Sequence, residues 1–211
     1  MAQAGPGKIR LFDDFCGPAY PILSTHAVNA ASGGGQAIGP FLLLGDLAET
    51  DTGVVRVDAL SGAVRVSAND EDGKGVALVT GLNFQPSLNA PMIVEARVNM
   101  RALTTRSIFV GFCGTIADDI AEPSTHTGTA HTLTASHQAG LIFDSQLTAK
   151  TWHAIYKGGT TTGETDSTNT VTAVSPVAGE YDVLRVEIFP DGDVEYWVNG
   201  SREYRIENAV S

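Results

Sequence analysis

The sequence predicts an all-β fold, arranged as a two-sheet antiparallel sandwich, and three observations lead there. From Tyr181 to Ile206 residues alternate with a period of two. Leu184, Val186 and Ile188 stand against Arg185 and Glu187, then Val194, Tyr196 and Val198 against Glu195, Trp197 and Asn199. Half-buried strands require that period. Asp191-Gly192 and Asn199-Gly200 separate the runs and supply the positive backbone angles of tight hairpin turns. The stretch is therefore a three-stranded meander, and its apolar face needs a second sheet to cover it. Finally, charged residues make up 18% of the chain, below the roughly 25% of ordinary domains, while 23 glycines serve turns. No heptad, helical repeat or amphipathic helix competes with this reading.

In chain order, Met1 to Gly7 is small, aperiodic and contains Gly and Pro, which marks a mobile N-terminal arm over residues 1–8. Residues 9–211 then read as a single β-sandwich domain. Ile9 to Phe15 (IRLFDDF) is a first strand running into a turn. Ala27 to Gly39 is an Ala/Gly/Ser-rich loop with little to pack. From Pro40 onward, short apolar segments are separated by turn residues: Phe41 to Leu44, Val54 to Val57, Val64 to Ser67, Val76 to Val79. Such spacing belongs to a sandwich or barrel. Met92 to Met100 is a longer strand with Val94, Ala96, Val98 and Met100 on one face and Glu95, Arg97 and Asn99 on the other. Ile108 to Cys113 is almost wholly apolar, so it is either a central strand buried on both faces or an interface strand.

Gly114 to Ala139 is a long polar stretch with at most a short helical turn at Ile116 to Ile120. Compact domains seldom keep such a loop without use, so it is the first candidate for subunit contact. Gly140 to Phe143 and Trp152 to Tyr156 are further strands, Gly158 to Asn169 is a second polar loop, and Val171 to Val174 leads into the closing meander.

A net charge of -11 and a pI near 4.7 repel phosphate backbones and anionic lipid surfaces, which argues against nucleic acid or membrane as partner. No apolar run approaches the roughly 20 residues of a membrane-spanning helix, and MAQAGPGKIRLF lacks a signal-peptide core. The expectation is a chain made and kept in the cytosol unless something carries it out. Cys16 and Cys113, far apart and each beside Gly, read as free and mostly buried thiols rather than a disulfide scaffold.

Residue patterns for chemistry are sparse. Glycoside hydrolysis needs two carboxylates flanking one bond; Glu187 and Glu195 flank a short hairpin, yet Arg185 and Arg97 are at hand to pair with such residues, so a solvated or ion-paired face is the better reading. His126, His131 and His137 share one loop, at spacings that match neither a helical pair nor a zinc finger. Asn69-Asp70-Glu71-Asp72-Gly73 resembles a calcium loop in composition but fails its ligand register, and reads as a hairpin tip. There is no Gly-x-Ser-x-Gly, and Gly33-Gly34-Gly35 lacks the Lys-Ser/Thr of a phosphate loop. No catalytic residue, cofactor or metal is therefore expected. Trp152 is expected in the core together with Tyr204. Trp197 lies on the face opposite Tyr196 and Val198, either exposed for stacking a sugar or anchoring a partner, or covered by a loop.

The opening FDDF, the EARVNM and VGF strands, the TWHAIYKGG hairpin and the closing LRVEIFPDGDVEYWVNG resemble a concanavalin A-like jelly roll of the laminin-G type. More narrowly, RSIFVGF, a Thr-rich loop, GLIFDSQLTAKTWHAIYKGG and the Asp-Gly and Asn-Gly meander look like tailed-phage virion proteins of that fold. The resemblance implies a non-enzymatic capsid decoration or cement protein on the virion, with the major capsid protein as partner and a homo-oligomer, a trimer, as the assembled form. Candidate capsid or subunit contacts are Ile9, Arg10, Phe12, Ile116, Ile120, His126 and His131. The alternative is a lectin-like module on the virion that uses Trp197 to hold surface glycans.

Overall fold

The computed structural model of the protein describes residues 11–16, 36–38, 40–45, 53–57, 60, 62–67, 75–81, 84–115, 123–127, 130–161 and 170–211. The chain groups into two compact units, one formed by Met1–Gly81 with Ile116–Glu122, the other by Leu82–Thr115 with Pro123–Ser211. Both are built from antiparallel strands, as the alternating sequence requires.

In the first unit, β1 (Gln36–Ile38), β2 (Phe41–Gly45) and β5 (Val76–Val79) form a three-stranded sheet in the order β1-β2-β5, while β3 (Gly53–Val57) pairs with β4 (Ala63–Ser67). Leu43 and Val54 are its buried anchors. The strand expected over Ile9 to Phe15 does not form where the chain is described: residues 11–16 are irregular. The cause is local. Asp13 Oδ1 accepts the Phe15 amide at 2.6 Å and Asp14 Oδ1 the Cys16 amide at 3.0 Å, turns that compete with strand pairing. Phe15 consequently sits at φ 54°. Neither Cys16 nor Cys113 is in a disulfide, but Cys16 is exposed and Cys113 only half-buried, so the expectation of mostly buried thiols fails for Cys16. The arm expected at Met1 to Lys8 and the loop tip at Asn69 to Gly73 lie outside the described residues.

The second unit is a sandwich. One four-stranded sheet has the order β12-β11-β10-β7: β7 (Ser107–Cys113), β10 (Gln138–Asp144), β11 (His153–Lys157), β12 (Thr170–Val171). The other has the order β15-β14-β13-β6: β6 (Met92–Asn99), β13 (Tyr181–Ile188), β14 (Val194–Val198), β15 (Ser201–Ile206). Two short elements remain, the single turn of helix α1 (Pro86–Asn89) and the hairpin of β8 (Ser124–Thr127) with β9 (Ala130–Leu133). The closing meander is as the turns dictate, with Gly192 at φ 86°, Asn199 at 52° and Gly200 at 82°.

Between the sheets, Ala139, Leu141, Phe143, Ala154 and Tyr156 meet Leu184, Val186, Ile188, Val194, Tyr196 and Val198. Each large apolar side chain contributes ~1.5–3 kcal/mol by leaving water. Two polar ties cross the layer. Tyr196 donates its hydroxyl to the Ile155 carbonyl at 2.9 Å, and Trp152 Nε1 donates to Asp182 Oδ2 at 3.0 Å. Trp152 is fully buried in the core, edge-on to Phe143 at 6.0 Å, and Tyr204 packs half-buried against the same cluster.

The strand buried on both faces is β10, not the Ile108 to Cys113 strand. All seven residues of β10 are buried, whereas β7 is the edge of its sheet and mostly half-buried. The difference lies in what covers the outer face. Gly111 and Gly140 are register partners, and the Phe109 ring lies directly over both, so close that a Cβ on Gly140 would meet it at 2.1 Å. Leu133 then packs on Phe109, Ile142 and Ile155, and Lys157 Nζ donates to the Leu133 carbonyl at 3.2 Å. The polar stretch Gly114 to Ala139 thus carries β8 and β9 and runs into β10; its Thr-rich, β-branched composition suits strands.

His153 and Asp144 are buried on that same outer face. Burial lowers the His153 pKa, with the Ala149 carbonyl, 3.0 Å from Nε2, and the Asp144 charge opposing.

Two outcomes follow. Tyr196→Phe leaves the Ile155 carbonyl without its donor and is expected to cost ~1–2 kcal/mol in urea unfolding, with the fold intact by circular dichroism. Because the folded-state pKa of His153 is depressed, its contribution is full above the ordinary value of 6.5 and declines as pH falls below it, by at most ~1.4 kcal/mol per pH unit. Melting between pH 7 and 5 in wild type and His153→Gln checks this, the variant being flatter in that window.

Candidate binding face

The outer face of β15-β14-β13-β6 carries alternating charged and aromatic side chains. Period-two alternation puts Ile93, Glu95, Arg97 and Asn99 there from β6, Tyr181, Val183, Arg185 and Glu187 from β13, Glu195 and Trp197 from β14, and Arg202 and Arg205 from β15. Strand register makes Glu187 and Glu195 direct neighbours, as it does Arg185 with Glu95 and with Trp197.

Arginines take up the carboxylates. Arg185 bonds Glu187 at 2.8 Å and reaches toward Glu95 at 3.9 Å; Arg202 bonds Glu195 at 2.8 Å with Arg205 at 3.6 Å. Of the two states expected from the sequence, solvated or ion-paired, the ion-paired one forms; Arg185 is a partner as expected, whereas Arg97 lies over Tyr181 and Glu195 is paired by Arg202 and Arg205. Glu195 is only 6% exposed on this sheet because the two arginine stems lie over it. At the hairpin end, Arg205 holds Asp193 at 2.8 Å, and Asp193 Oδ1 caps the Asn208 amide at 3.0 Å. The Arg205 hydrogen bond, with the Asn208 amide in support, lowers the Asp193 pKa against the opposing effect of burial.

Guanidiniums also stack on rings. Arg97 lies 3.9 Å over Tyr181, Arg185 5.9 Å over Trp197 and Arg205 6.0 Å over Phe189. Trp197 is half-buried, its cross-strand neighbours are Arg185 and Arg202, and its buried Nε1–H has no acceptor. This is a flat lattice of alternating charge and ring.

Of the other contacts expected from the sequence, Phe12 is 62% exposed in the first unit. His126 and His131 are cross-strand partners in β8 and β9. His137 is exposed, with Nδ1 3.1 Å from Ser136 Oγ. Ile9, Arg10, Ile116 and Ile120 lie outside the described residues. Sequence reasoning missed Arg202 and Arg205 as part of the face, although their place after Asn199-Gly200 sets them opposite Trp197 and Glu195. It also missed the C-terminal clamp, in which Gly192 accepts the Ala209 and Val210 amides at 2.9 and 3.2 Å. Among the described residues no group of three His, Cys, Asp or Glu is placed to hold a metal ion, and no helix is long and apolar enough to cross a membrane.

No protein-family model, no curated protein and no solved structure matches the chain. Function has to be argued from its own residues.

Asp193→Ala is expected to destabilise by ~1–2 kcal/mol, chiefly through the orphaned Asn208 amide, since Arg205 is 48% exposed and its pairing is screened by water. Glu95→Ala should change stability by less than ~0.5 kcal/mol. Urea denaturation of both variants at pH 7 checks the contrast.

Proposed function

We propose that the chain is a non-enzymatic structural protein of a tailed-phage virion, a capsid decoration protein that binds the outer capsid surface and stabilises the head. Its scaffold is, on this reading, a concanavalin A-like jelly roll. Two long-range pairings support that, β7 with β10 nested inside β6 with β13, as when one long hairpin is rolled into a sandwich.

The observation that carries the functional reading is the outer face of β15-β14-β13-β6. Its carboxylates are engaged by arginines of the same or a neighbouring strand, and it offers breadth and shape rather than a reacting pair. A decoration protein acts by area. A contact of ~800 Å² per partner, made only with the assembled shell, stabilises that shell by linkage. Trp197 would be its anchor, a half-exposed ring held between two arginine-bearing strands.

The same surroundings weigh against the lectin-like alternative. A sugar stack needs an open indole face beside amide and carboxylate groups, whereas Trp197 has Arg185 at 5.9 Å over its ring. The test is cryo-electron microscopy of intact particles, with heads lacking the protein as control. Density of this sandwich on the outer capsid, and heads that rupture at lower temperature without it, are the expected results. Trp197→Ala should weaken binding to such heads by ~30-fold or more. Absence of the protein from purified virions overturns the reading.

A further inference from the structure

The β15-β14-β13-β6 sheet treats its two edges differently. β15 is blunted, since its pairing with β14 slips at a bulge between Tyr196 and Trp197, and it carries Arg202, Glu203 and Arg205. β6 has no such protection. Its eight residues pair with β13 without a break, from Met92 opposite Ile188 to Asn99 opposite Tyr181.

The direction of the free backbone groups follows from one local fact. Val183 turns both its carbonyl and its amide to Asn199, at 2.8 Å each, toward the β14 side. Alternation then turns Leu184, Val186 and Ile188 toward β6, where Ala96, Val94 and Met92 meet them. Ile93, Glu95, Arg97 and Asn99 therefore aim N–H and C=O outward, and no pairing occupies them among the described residues. Ile93 is 50% exposed and the Glu95 side chain 55%.

The sequence of this edge is complementary to itself. Residues 94–98 read Val-Glu-Ala-Arg-Val, so a second copy running antiparallel about a twofold axis at Ala96 sets Glu95 opposite the second copy's Arg97, and Arg97 opposite its Glu95. Val94 meets the second copy's Val98 on the core side. The outward-directed residues fall opposite one another in this register, and each such pair exchanges two backbone hydrogen bonds. Charges placed oppositely across the strands stabilise the pairing, while a slip by two residues sets Glu95 opposite Glu95 or Arg97 opposite Arg97, like charges that repel. β7, the other regular edge, has the sequence SIFVGFC, with no charge to select a partner or a register.

We infer that two copies of this chain associate through β6 about a twofold axis at Ala96, joining their four-stranded sheets into one continuous sheet. The contact stands on the strand edge alone and does not depend on the virion reading. It specifies two copies, in place of the threefold assembly that the sequence resemblance implies.

Analytical ultracentrifugation of the full chain should give the mass of two 22.1 kDa subunits. Glu95→Arg and Arg97→Glu, each alone, put like charges opposite one another at both symmetric positions and should raise the dissociation constant by at least ~10-fold. Both side chains are exposed, and circular dichroism should show both variants folded. An equimolar mixture of the two should form a heterodimer, because the arginines of one then face the glutamates of the other. The doubly exchanged Glu95→Arg/Arg97→Glu chain should dimerise like wild type. A wild-type mass of one or three subunits overturns the inference, as does a pair of single variants that dimerise normally or fail to pair in the mixture.

Discussion

The second unit depends on a single strand being covered on both sides. β10 runs through seven consecutive buried residues, and both its neighbours, β7 and β11, are antiparallel to it. Its inward residues Ala139, Leu141 and Phe143 form the floor of the inter-sheet core. Its outward residues have to be covered as well, and Gly140 makes that possible. With no side chain there or at Gly111, the Phe109 ring lies flat on the sheet and Leu133 closes over it. A larger residue at Gly140 would displace the ring and reopen the face to water, so the position of β9 follows from a missing Cβ two strands away.

That coupling explains what the sequence could and could not convey. The meander from Tyr181 to Ile206 was legible almost residue by residue, because each signal in it is local: period two, Asp-Gly, Asn-Gly. Trp152 as core and a solvated or ion-paired state for Glu187 and Glu195 were legible as well, the second because Arg185 stands two residues before Glu187. The placement of Ile108 to Cys113 was not. Its apolarity is real, but β10 became central because of the covering hairpin, and cover is a tertiary property that periodicity does not encode. Likewise the Thr- and His-rich run from Ser124 to Leu133 reads as polar loop until its threonines are seen as β-branched strand formers.

Over the described residues 11–16 the expected strand is absent for the opposite reason, an excess of local information. Two adjacent aspartates each offer the backbone a side-chain acceptor two residues on, and the chain takes that bond in place of a ladder. The turn that the sequence places after this strand begins at Asp13 and Asp14.

The candidate face shows how register converts a possible reactive pair into an ion-paired surface. Glu187 and Glu195 are direct cross-strand partners, the closest approach that a sheet gives two side chains, and like charges so placed destabilise a strand pair unless countered. The countering groups come from both flanks: Arg185 lies two residues before Glu187 on β13, and Arg202 and Arg205 on β15 straddle Glu195 because the bulge at Trp197 shifts the register between them. Without that bulge the two arginines could not both reach one carboxylate. The irregularity that blunts the β15 edge thus also neutralises the centre of the sheet, and leaves β6 as the regular, exposed margin of the same surface.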